Sequence, residues 1–116
     1  MGENLSAEYL INKGYIILNR NYFSRYGEID IIASIDNILA FVEVKTRNET
    51  SIASPGSFVT YSKQQKIIKT ALTFLNENDY NDFWPRFDVI EITVSKNNSQ
   101  LKFINHIINA FTTQNF

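Results

Sequence analysis

Apolar and polar positions alternate along this chain with periods that change abruptly at glycine, asparagine and proline. Between Glu3 and Lys13, the residues Leu5, Tyr9 and Leu10 fall at helical spacing, and Gly14 follows as a left-handed terminator, so the pattern predicts a first helix there. Ile16, Ile17 and Leu18 within Tyr15 to Phe23 predict a strand. Gly27 to Ile35 predicts a second, with Ile29, Ile31, Ala33 and Ile35 on one face. Asp36 and Asn37 turn the chain into a third strand, Ile38 to Lys45, which is apolar on both faces until its end, as suits a strand central in its sheet. A polar stretch from Arg47 to Ser57 containing Pro55-Gly56 reads as a mobile loop.

Tyr61 to Glu77 carries the strongest helical pattern. Ile67, Ile68, Ala71, Leu72 and Leu75 share a stripe, Lys63, Lys66 and Lys69 lie away from it, and Thr60 or Ser62 is placed to cap it. After Pro85, Phe87 to Val94 predicts a fourth strand, Asn97-Asn98 a turn, and Leu101 to Ile104 an edge strand before a short helical or irregular tail. A two-residue turn makes strands two and three antiparallel, while the helix between strands three and four is long enough for a right-handed crossover that makes them parallel. The expectation is an α/β protein, a mixed sheet flanked by helices in the core order αβββαβ, forming a single domain over residues 1–116.

The hairpin brings the chemistry into view. A symmetric Asp36-Asn37 turn pairs Ile35 with Ile38, and the same register carried down the strands sets Asp30 opposite Glu43 and Glu28 opposite Lys45, all four on one face. Opposed side chains have Cβ atoms about 4.5 to 5.5 Å apart. Two carboxylates at ~4 Å repel by roughly 4 kcal/mol at intermediate dielectric, so the pair needs a compensating charge. A divalent cation supplies it, since Mg²⁺ is commonly held by one or two carboxylates with waters and phosphate oxygens completing its shell. Lys45 nearby would stabilise developing negative charge or favour an attacking water. The same residues also fit a plain surface ion pair between Lys45 and Glu28, and spacing alone does not choose between the two.

The ordered motifs Gly27-Glu28-Ile29-Asp30-Ile31-Ile32-Ala33, Phe41-Val42-Glu43-Val44-Lys45-Thr46-Arg47 and Pro85-Arg86-Phe87-Asp88-Val89, with Ala110-Phe111 near the end, resemble the YraN-like family of bacterial proteins over nearly the whole chain. Gly14-Tyr15 and Arg20-Asn21 belong to the same likeness. That family is similar to the restriction-endonuclease-like superfamily with its PD-(D/E)-x-K site, and within it to archaeal-type Holliday-junction resolvases. The resemblance implies a restriction-endonuclease-like fold, Asp30 and Glu43 as the metal-binding acids, Lys45 as the catalytic lysine, and Glu3 at the place of the resolvase glutamate. It implies Mg²⁺ or Mn²⁺ as cofactor and DNA, branched or structured, as substrate. Glu28 is assigned a supporting place beside the site. The proline of the superfamily motif is replaced here by Ile29.

Other residues extend or restrict this reading. Lys63, Gln64 and Lys66 at the start of the second helix are candidates for phosphate contact, or form a solvated helix face; Arg25 and Arg47, with Arg20, are candidates for a basic rim. Tyr22, Phe23 and Tyr26 suit base stacking or a rim of the core. Asp88 suits structural hydrogen bonding, and His106, the single histidine, a packed or surface position. Eleven Lys plus Arg against twelve Asp plus Glu, a net charge of -1, exclude polycation behaviour, so nucleic-acid binding requires a local patch. The 116 residues are 44% hydrophobic and contain no cysteine, which excludes thiol chemistry and permits a reducing, cytoplasmic setting. No apolar run reaches the ~20 residues of a membrane helix, and no signal peptide precedes the domain. A nucleic-acid-binding module without catalysis is the alternative function, a scaffold without ligand a third, and a homodimer would suit paired cuts on a two-fold junction.

Overall fold

A computed structural model describes residues 2–49, 59–97 and 100–112 of the chain. Helix α1 (Gly2–Asn12) leads into strands β1 (Ile16–Ser24), β2 (Gly27–Ile35) and β3 (Ile38–Asn48), then helix α2 (Tyr61–Glu77) and strands β4 (Trp84–Val94) and β5 (Leu101–Phe111). The five strands form one mixed sheet in the order β1-β2-β3-β4-β5, with β3 and β4 parallel and every other pair antiparallel. This α/β architecture is the expected one and is consistent with a restriction-endonuclease-like fold. The loop expected over 47–57 lies largely outside the described residues, as does Asn98 of the expected Asn97-Asn98 turn; β3 itself continues to Asn48.

Local chemistry explains the element ends. Gly14 has φ +99°, and Tyr15 N–H donates to Leu10 O at 2.9 Å, the wrapped ending that a left-handed residue permits. Asp36 in the β2–β3 turn also has a positive φ, 50°, which a short acidic side chain tolerates. Thr60 caps α2 by accepting a hydrogen bond from Lys63 N–H at 3.1 Å.

The sheet buries one core on each face. Ala7 and Leu10 of α1 meet Ile31, Ala33, Ala40, Val42, Ile90 and Ile92, while Ile67, Ile68, Ala71 and Phe74 of α2 meet Ile32, Leu39, Phe41 and Phe87. Ile29 departs from the expected alternation. It packs in the α2 cluster although Ile31 lies in the α1 cluster, and its β1 neighbour Tyr22 packs on the same side, just after Asn21 at φ 53°.

Two expectations for the C-terminal third are corrected. Strand β4 starts at Trp84, so Pro85 lies inside it; Trp84 N–H points to the β3 side, where Asn37 O in the turn before β3 accepts it at 2.8 Å, so the missing N–H of Pro85 falls on the side where β5 has not yet begun to pair. The expected tail after Ile104 is instead the continuation of β5 to Phe111, with extra residues bulged out between the pairs Val89–Ile107 and Phe87–Phe111 and with Asn109 at φ 58°.

A buried polar network ties α1 to these last strands. Asp88 accepts from Arg86 Nε at 2.9 Å, from His106 Nε2 at 2.8 Å and from Asn109 N–H at 3.0 Å. Tyr9 joins at His106 Nδ1, 3.2 Å away, and Arg86 also donates to Tyr15 OH at 2.5 Å. Burial works against the Asp88 charge, but the bonds from His106, Arg86 and Asn109 outweigh it and hold the carboxyl below its usual range. Arg86→Leu is expected to cost about 3 kcal/mol in urea unfolding, because a buried carboxylate loses its bidentate partner while His106 stays beside it.

Candidate active site

The β2–β3 ladder runs in the expected register from Ile35–Ile38 to Ile31–Val42 and stops. Past this point the two strands part, and the Asp30 side chain takes over from the ladder: Val44 N–H donates to Asp30 Oδ2 at 2.8 Å. A carboxylate thus accepts the bond that a backbone carbonyl would have taken. Glu43 lies close enough to act directly on the Asp30 carboxyl, so the two acids meet as expected, although Asp30 reaches across the gap between strands instead of standing in a regular ladder.

Glu43 is 7% exposed, at the last wholly buried position of β3. Lys63 Nζ stands 3.0 Å from its Oε2. The approach is off the direction of a hydrogen bond, so this buried oxygen has its charge balanced but no hydrogen-bond partner. Burial first, and then the neighbouring Glu43, push Asp30 up to about 7, against the opposing pull of Val44 N–H and the Lys63 charge. Pairing with Glu43, supported by the charges of Asp30 and Glu28, raises Lys63 above the ordinary lysine range.

The N-terminal ends of both helices arrive at this split. Gly2 begins α1 so close to β3 that a Cβ on it would meet Thr46 Oγ1 unless that side chain shifted. Glu3 follows, 3.6 Å from Arg20, and its charge is felt by Glu28. Burial, then the charges of Asp30 and Glu3, raise Glu28, with Lys63 opposing. Glu3, Glu28, Asp30, Glu43 and Lys63 therefore form one electrostatic cluster.

The expected Glu28–Lys45 opposition is corrected: Glu28 pairs across β1 with Phe23, since β2 has already left β3. Lys45 is half-buried on β3, two residues beyond Glu43, and its neighbour in β4 is Glu91. Glu91 is 2% exposed and accepts from Asn105 Nδ2 at 2.9 Å. Sequence reasoning passed over Glu91, although a charged residue amid the apolar run of β4 was a signal for it. Lys63, a candidate for phosphate contact or for a solvated face, has its ammonium against Glu43; nothing in the helical period marks which lysine of that face turns inward.

Of the other candidates, Arg47 lies further along β3 beside Thr93, Gln64 donates to Val59 O at 3.1 Å, and Lys66 is exposed on α2. Arg25 donates to Tyr26 OH at 2.8 Å and lies over its ring, while Lys69 approaches the same ring at 5.5 Å. The β1–β2 turn packs against α2 through Ser24 and Thr70, 2.8 Å apart, so Arg25, Lys66 and Lys69 share one cationic ridge that begins at Lys63. Phe23 is exposed, and Tyr22 packs edge-on against Phe74.

Chemically, the notch offers two carboxylates from adjacent strands, one with a buried oxygen lacking a partner. Among the described residues no group of three or more His, Asp or Glu side chains converges as a metal cage. Two carboxylates with open positions match a hard divalent cation that keeps waters or phosphate oxygens.

The raised Asp30 sets a pH dependence. A carboxyl that binds its proton more tightly in the folded than the unfolded protein costs stability as pH rises from about 4 through about 7. Asp30→Asn is therefore expected to be more stable than the parent at pH 8 without metal, with the difference vanishing below pH 4, as read by urea midpoints across that range.

The chain matches the family described as "Uncharacterised protein family UPF0102" over residues 2–92. It is 42% identical over 111 residues to a UPF0102 protein of Caldanaerobacter subterraneus subsp. tengcongensis, covering 96% of this chain and 91% of that one. A UPF0102 protein of Clostridium botulinum (strain Loch Maree / Type A3) is 46% identical over 111 residues, 95% of this chain and 89% of its own length. One of Clostridium tetani is 47% identical over 98 residues, 84% and 80% of the two chains. With the family matched across most of its length and relatives covered almost end to end, the chain belongs to the UPF0102 family, the YraN-like family that its motifs resemble.

Proposed function

We propose that this protein is a metal-dependent nuclease that hydrolyses phosphodiester bonds in DNA, with Asp30 and Glu43 holding Mg²⁺ or Mn²⁺. The observation that carries the reading is the buried acid pair at the parting of two strands, with Glu43 Oε2 lacking a hydrogen-bond partner. A protein shaped by stability alone gains nothing from such a pair. A bound divalent cation supplies Lewis-acid polarisation of the phosphate and a more acidic water.

The chain's own residues do the rest. Were the charge of the acids balanced in another way, Lys63 would be released from Glu43 to bind a phosphate oxygen. Lys66 and the N-terminal end of α2 bind the adjoining phosphate. Lys45 stabilises the negative charge that builds as the water oxygen bonds to phosphorus and the ester oxygen departs. Glu28 and Glu3 hold the field around Asp30. Branched or structured DNA is the substrate to try first.

Lys63 on Glu43 also favours a second reading, a nucleic-acid-binding module whose acids are balanced by an internal ammonium and hold no metal. The two separate cleanly. With Mn²⁺ and branched, duplex and single-stranded DNA, the nuclease is expected to cut at least one substrate, and Asp30→Asn to slow cutting by about a hundredfold or more, no less than the loss of a supporting metal-site partner costs. Absence of metal-dependent cutting, together with salt-dependent DNA binding that Asp30→Asn leaves unchanged, supports the second reading. In either case Lys66→Ala is expected to reduce the salt slope of DNA binding by about 1.

A further inference from the structure

The pole of the sheet away from the acids carries a cleft that phosphodiester hydrolysis does not use. Tyr80, Phe83, Trp84, Phe87 and Phe111 wall a cavity of about 440 Å³. Phe87 and Phe111 stack at 5.1 Å, and Tyr80 meets Phe83 edge-on at 5.2 Å. Asn81, Asn109 and Thr112 give the cleft amide and hydroxyl groups. Trp84 remains 68% exposed even though its backbone is fixed to Asn37. A large exposed ring beside an apolar cavity has the character of an interface anchor.

Charge selects the occupant. From Thr70 to Pro85 the chain has no Lys or Arg and carries Glu77, Asp79 and Asp82, all exposed. Asp36, in the turn whose Asn37 accepts from Trp84, adds a fourth acid. Such a rim repels a nucleic-acid strand and attracts cations. We propose that the cleft receives an apolar or aromatic side chain from a segment of a partner protein that bears Lys or Arg on both sides of that anchor. The anchor fills the space over Phe87 and Phe111, and the cations meet Asp79 and Asp82. Along β4, Trp84 is roughly 17 Å from Val89, the neighbour of Glu43, so the partner and DNA occupy separate ends of the protein.

Trp84 is the only tryptophan, so its emission reports on this cleft alone. The full chain without metal is titrated with a blocked hexapeptide having Phe-Leu at its centre and Lys or Arg at the other four positions. A counterpart carries Glu and Asp in their place. The basic peptide is expected to change the emission saturably and to bind about tenfold or more tightly than the acidic one, a difference that a few surface ion pairs provide. Asp79→Lys with Asp82→Lys, both exposed positions, is expected to invert that order. Phe83→Ala weakens the basic peptide without inverting it, and Asp30→Asn leaves every value unchanged, whatever the outcome of the cleavage assay. Equal affinity for the two peptides, no saturable change with either at millimolar concentration, or saturation by an oligothymidylate strand instead overturns the proposal.

Discussion

The hydrogen bond from Val44 N–H to the Asp30 carboxylate is the contact around which the rest of the site is arranged. Two neighbouring strands that part inside a sheet leave backbone groups without partners, and such groups are costly when buried. Asp30 answers this with a side chain that behaves like the missing strand. The answer carries a charge, and that charge sits against Glu43. Every other feature of the site follows from supplying or tolerating it: the ammonium of Lys63, the raised affinity of Asp30 for its proton, the oxygen of Glu43 left without a directed bond.

The remaining fold can be seen as the support of that split. The α1 core and the α2 core press on opposite faces of the same three central strands, so β2 and β3 cannot slide back into a full ladder without disturbing both. Gly2 lets α1 start directly against Thr46, and Gly27 brings the β1–β2 turn under Lys66 and Thr70, where a Cβ in its place would stand at ordinary contact distance from α2. The Asp88 network performs a comparable service on the far strands, where His106 and Arg86 hold a second buried carboxylate with full hydrogen bonding. The contrast between the two is instructive: Asp88 is satisfied and held below its usual range, whereas Asp30 is pushed upward. The groups around Asp88 are donors that favour its charge, whereas Asp30 sits beside a second acid that opposes its own.

Much of this was legible from residues alone where local rules act without competition. Gly14, the Asp36-Asn37 turn and the amphipathic run Tyr61–Glu77 each carry their own signal, and the strand directions follow from connection length. Asp30 and Glu43 could be paired because a two-residue turn leaves little freedom of register. What the chain does not announce is where a ladder ends. Side-chain alternation assumes it continues, so Glu28 was set against Lys45 and Ile29 on the wrong face. The tail was hidden for a related reason: the bulge near Asn109 and the adjacent Ile107 and Ile108 break period two, and β5 reads as irregular although it pairs with β4 through Phe111. The ion pair of Lys63 with Glu43 was not legible because its inward turn depends on tertiary docking of α2.

The order in which the chain must close these contacts has a consequence for how the acids survive their own repulsion. Asp30 and Glu43 belong to one hairpin, a local structure that forms within microseconds while still bathed in water, where like charges at this range interact only weakly. Lys63 belongs to the crossover, whose parallel partner β4 demands a far longer loop closure. The helix that covers Glu43 is thus also the one that carries its counter-charge, so in the folded protein burial of the acids and the presence of Lys63 come from the same element.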